Sequence, residues 1–141
     1  MRSIGLATTL ALLLCQAVTA AQTSRGLTGT WIGTFNGQPD PGPDETMTPF
    51  KLTLRRSAKS ITGLLVILSG PPRSSEIKKG VCDPEGCSFE VLDYGDDDTP
   101  SAWRVWIENG KLLGMHNRGP LGPLGIGIGA RLFRIEAKHS N

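Results

Sequence analysis

The sequence predicts an all-β protein built as a single eight-stranded antiparallel up-and-down barrel. Three observations carry this. Strand-length apolar segments recur between turn residues, glycine is abundant at 18 of 141 positions, and no helical heptad pattern appears. Short turn-like connections favour sequential strands pairing as a meander. Eight such strands close naturally into a barrel whose interior is filled by side chains or holds one small ligand.

The element before the barrel is an export signal over residues 1–20. Arg2 supplies its positive charge, Ile4 to Leu14 is an uncharged apolar run, and Val18 and Ala20 occupy the −3 and −1 positions of a small-residue cleavage site. The run is shorter than the roughly 20 residues of a spanning helix, and no later segment reaches that length, so the processed chain is expected to be a soluble monomer. Cys15 is preceded by Leu14 where lipid attachment needs a small residue, which argues against a lipid anchor. The expected compartment is the periplasm or the cell exterior. The 121 residues from Ala21 make one domain: a short linker over 21–26, the barrel over 27–136 and a polar tail over 137–141.

The first strand, 27–36, sets Trp31, Gly33 and Phe35 against Thr30, Ile32 and Thr34. The second, 49–56, alternates Phe50, Leu52 and Leu54 with Lys51, Thr53 and Arg55, a one-sided pattern. The third, 60–68, is apolar on both faces, so its outer side should be covered. The fourth and fifth, 75–82 and 87–94, form a hairpin. The sixth, 101–108, puts Trp103, Val105 and Ile107 on one face and Arg104, Trp106 and Glu108 on the other. Asn109-Gly110, a strong hairpin signal, joins it to the seventh, 111–116. Gly119 to Pro123 cannot extend a ladder, and the eighth strand, 125–136, follows.

Cys82 and Cys87 are the cysteines that remain after signal removal. In an oxidising compartment they are expected to form a disulfide. Asp83-Pro84-Glu85-Gly86 between them has the proline and glycine of a tight turn, and strand positions flanking such a turn lie within bridging distance. A loop this short should contribute about 2 kcal/mol through the unfolded state. A metal or redox pair would need two-residue spacing or nearby histidines, which are missing.

Gly29-Thr30-Trp31 resembles the Gly-x-Trp signature in the first strand of the calycin barrels: lipocalins, fatty-acid-binding proteins, avidins and certain bacterial protease inhibitors. The resemblance implies that Trp31 packs across one barrel end with a basic residue of the last strand, Arg131 or Arg134, against it, as cation–π attraction allows. The wider pattern is similar to small exported bacterial barrels of unassigned activity. Gly26 to Trp31 is also similar to the opening of avidins, but Ile32, Gly33, Thr34 and Phe35 do not match that family's biotin-contacting residues.

The chemistry of catalysis is not visible in the sequence. His139 lies in the tail and His116 ends a strand in isolation; no nucleophile elbow, metal-binding pair, phosphate loop or dinucleotide fingerprint occurs, so the protein is read as a non-enzyme without metal or cofactor. With Arg2 removed the net charge is +1 and no basic patch stands out, which excludes nucleic acid as a partner. The acidic run Asp93 to Asp98 lacks the spacing of a calcium loop and reads as solvated. Phe35, Phe50, Phe89, Trp103 and Val105 are the candidates to line a pocket for a small apolar or amphipathic ligand. The alternative is a fully packed barrel acting as a protein-binding module, such as an inhibitor of an exported protease, through residues 38–45 or 117–124. In that case Trp106 is a candidate surface anchor.

Overall fold

In a computed structural model the described residues are 22–36, 47–71, 73–92, 99–119, 122 and 133–140. Among them the ordered elements are all strands: β1 (Gly29–Asn36), β2 (Met47–Ser57), β3 (Ser60–Ile67), β4 (Arg73–Glu76), β5 (Lys78–Cys82), β6 (Cys87–Val91), β7 (Ser101–Glu108), β8 (Lys111–Arg118) and β9 (Phe133–His139). Every pairing is antiparallel, and the order β2-β1-β9-β8-β7-β6-β5-β3 is closed by a β2–β3 ladder. This is the eight-stranded up-and-down barrel that the sequence predicts, with β4 as one extra strand.

That extra strand comes from a break in the expected strand 75–82. β4 pairs with the far half of β3, from Leu64↔Glu76 to Ile67↔Arg73, whereas β5 meets β3 only at Ser60↔Val81. Between them Ile77 is buried, and its N–H donates to the Gly63 carbonyl at 3.1 Å. The β5–β6 register then shifts between Lys78 and Val81, and Lys79 takes φ 54° at this bulge.

Alternation decides what lies inside. Phe50, Leu52 and Leu54 of β2 are buried while Lys51, Thr53 and Arg55 are exposed. Asn109 and Gly110 both take positive φ, 53° and 74°, and bring Glu108 opposite Lys111. Gly63 of β3 has a steric reason: a Cβ there would overlap the Thr53 carbonyl oxygen of β2.

Several boundaries differ from expectation. The last strand continues to His139, so Ala137, Lys138 and His139 of the expected tail are ladder residues that pair with Gly33, Ile32 and Trp31. Residues 125–132 of the expected eighth strand lie outside the described residues, and β8 runs two residues past 116. The expected linker is also built in. Thr23 bridges to Ile107, and Ser24 is buried with its N–H bonded to the Pro84 carbonyl.

The outer side of β3 is not covered as its apolar pattern predicts. β4 extends the sheet in its own plane rather than crossing over it, and Leu64 and Leu68 remain 40% and 49% exposed.

Candidate functional site

The barrel axis is occupied by rings. Phe35 of β1, Phe50 of β2, Phe89 of β6 and Trp103 of β7 are each 0% exposed. Trp103 is the hub. Its ring centroid lies 5.2 Å from Phe35, 5.7 Å from Phe50 and 6.1 Å from Phe89. Edge and offset contacts at these separations are favourable in their own right. Val105, two positions on from Trp103, is equally buried. All five candidate ligand-lining residues therefore come together, and the four aromatic ones are in ring contact.

His116 belongs to this cluster, not to a polar strand end. It is 1% exposed, stacks on Trp103 at 5.4 Å and 29°, and meets Phe35 edge-on at 5.1 Å. Leu112, Gly114 and His116 alternate inward along β8, a pattern present in the sequence that points to this placement.

The end of the barrel where β1 begins is closed by contacts among Ser24, Leu27, Trp31, Arg56 and His139. The Trp31 indole N–H donates to the Leu27 carbonyl at 2.9 Å, and the His139 ring meets the indole at 5.0 Å and 89°. Gly29 takes φ 143°, and a Cβ there would lie 2.5 Å from His139 Nε2. Arg56 spans the gap: its guanidinium donates to the Ser24 carbonyl at 2.9 Å, to Ser24 Oγ, and to the Ala58 carbonyl at 3.0 Å. Of the basic partners expected for Trp31, Arg131 lies outside the described residues. Arg134 is in β9 with its side chain outside them, and its backbone pairs with Met115. His139 is the last-strand residue set opposite Trp31.

Cys82 and Cys87 form a disulfide across paired positions with Cα atoms 4.1 Å apart. The turn is held by Asp83, whose N–H donates to the Gly86 carbonyl and whose Oδ1 accepts the N–H groups of Glu85 and Gly86 at 2.8 and 3.1 Å. Arg104 of β7 clamps the same carboxylate at 2.9–3.0 Å and also donates to Ser88 Oγ. Desolvation pushes the Asp83 carboxyl up, but the Glu85 N–H, Arg104 and the Gly86 N–H outweigh it. The group sits below the ordinary carboxylate range.

Two grooves lie on the outside of the wall. One, of about 320 Å³, is lined by residues including Ile32, Thr34, Met47 and Lys138. The other, of about 380 Å³, follows the seam where β4 parts from β6, with Ser75 Oγ accepting the Leu92 N–H across it. Lys79 pairs there with the largely buried Glu90 at 3.1 Å. Trp106 is not the exposed anchor expected. It is only 9% exposed, its cross-strand neighbour is Leu113, and its indole N–H donates to Glu108 at 3.3 Å. The acidic run 93–98 lies outside the described residues, among which no cluster of metal-ligating side chains occurs.

No protein-family model, curated protein or solved structure matches the chain. The closed eight-stranded barrel is compatible with calycin-like architecture, and that is as far as the fold defines its class.

Proposed function

We propose that this protein is an exported, non-catalytic binding module that works through its outer surface, with the barrel interior given over to stability. One observation carries the proposal: the residues best suited to line an internal pocket are spent on one another, ring against ring around Trp103. Rings packed on one another along the axis compete with an internal guest for that space, and a drug-sized ligand needs a few hundred Å³. The architecture favours the end where β1, β8 and β6 finish. Three of its connections, residues 37–46, 92–100 and 119–132, are long, while the opposite end has tight turns at 58–59, 83–86 and 109–110. A calycin-like protease inhibitor is the specific form this reading takes, with residues 38–45 and 117–124 as its contact surface.

A hydrophobic fluorophore titrated into the protein should show no saturable binding and no quenching of Trp103 emission. Saturable quenching that disappears in Trp103→Phe would restore the internal-ligand reading and overturn this one. Replacing 38–45 with a Gly-Ser linker should leave the unfolding midpoint unchanged and abolish capture of a protein partner.

A further inference from the structure

The wall formed by β9, β1, β2 and β3 differs from the rest of the barrel. Cross-strand register lines up Lys138, Ile32, Lys51 and Val66 as one row over four adjacent strands, and Thr30, Thr53 and Leu64 as the next. Ile32, Met47, Leu64 and Leu68 are 40–49% exposed. Lys51, Arg55 and Lys138 are exposed on the same wall and make no ion pair among the described residues. Three cations elsewhere are paired, Lys79 with Glu90, Arg104 with Asp83 and Lys111 with Glu136, while the exposed Arg25, Lys59, Arg73 and Lys78 do not share a wall with a row of exposed aliphatic side chains. Two carboxylates share the wall: Glu76 stands opposite Leu64, and Glu136, paired with Lys111, lines the same groove as Ile32, Met47 and Lys138. The 320 Å³ groove opens onto this wall beside Ile32 and Lys138.

We propose that this wall docks onto an anionic lipid surface. The residue types discriminate between partners. Protein interfaces concentrate aromatic residues and arginine and are depleted in lysine. This patch carries two lysines and one arginine, Arg55, among exposed aliphatic side chains and, among its described residues, no aromatic. A lysine beside an aliphatic neighbour can lay its methylene stem along the apolar layer while its ammonium stays with the headgroups. The three cations share one face, so all approach the surface together. Each is worth about a fivefold gain in partitioning at low salt. The exposed aliphatics add a contribution that salt does not screen.

The inference is independent of the protein-binding reading and tests separately from it. The purified chain, recovered from an exporting host, is sedimented with vesicles of phosphatidylcholine alone and of phosphatidylcholine mixed with phosphatidylglycerol. It should bind the mixed vesicles at low salt and release at about 1 M salt, where the screening length falls to roughly 3 Å. Lys51→Gln with Lys138→Gln should lower the partition coefficient about twenty-five-fold. Ile32→Ser with Leu64→Ser should weaken binding while preserving the unfolding midpoint. Equal binding to both vesicle types, no sedimentation with either, or indifference to the double lysine change would overturn the proposal. So would capture of this face by an acidic protein when vesicles fail to bind it.

Discussion

Single side chains set the energetics of the interior. Phe35 touches Phe50, Trp103 and His116 from the middle of β1, so Phe35→Ala leaves a hole that rigid barrel walls cannot collapse to fill. It should cost about 3–5 kcal/mol, read as a lower denaturant midpoint at unchanged slope. Asp83 gives a pH signature. Its folded pKa is depressed, so its contribution is complete above the unfolded value near 3.8 and is lost as pH falls through the lower folded value. Wild-type stability should therefore decline as the solution is acidified from about pH 5 downward. Asp83→Asn should flatten that decline, as denaturant midpoints measured across the window will report. A decline of the same steepness in the variant would remove Asp83 as its source. At this scale the inward residues were legible because period-two alternation sorts them directly. His116 reads as a polar strand end until its ring neighbours are in place, and His139, which stays exposed, reads as tail until Trp31 is set opposite it. His116 is held by ring neighbours from other strands, and His139 by a partner at the opposite end of the chain.

Elements show where local pattern runs out. The hairpin around the disulfide was readable from four residues, since Pro84, Gly86 and the two cysteines all act locally. Removing the bridge with Cys82→Ser and Cys87→Ser should cost about 2 kcal/mol. The ladder bonds and the Arg104–Asp83 clamp still hold the turn, so the fold should survive. The split of one strand into β4 and β5 depends instead on how β3 divides its edge between two partners, which no local signal encodes. The extent of β9 was hidden for a related reason. Lys138 and His139 look like a solvated tail until β1 is brought alongside them. Ending the chain after Glu136 tests this: it should red-shift Trp31 emission and lower the unfolding temperature, whereas a mere tail could be removed without effect. Uncovered apolar residues on β3 are likewise a property of the assembled wall.

For the molecule as a whole, closure rather than any one contact removes the sheet edges, and all eight strands are required for it. An intact mass matching residues 21–141 with two fewer hydrogens would establish both signal removal and oxidation of Cys82 and Cys87. A mass retaining residues 1–20 would refute the export reading. Fold class was recoverable from the sequence because repeat length, turn chemistry and alternation agree over most of the chain. Binding partners were not, because the surface that would meet them is assembled from strands distant in sequence.

The ladder between β1 and β9 also sets a timetable. Trp31 lies in the first strand and His139 in the ninth, so the seam that joins them cannot form until β9 has been made. Until β9 arrives, β1 and β8 each present an unpaired edge. A molecule that stops short of β9 is therefore an open sheet with two adhesive borders, and its characteristic failure would be self-association rather than simple loss of one strand.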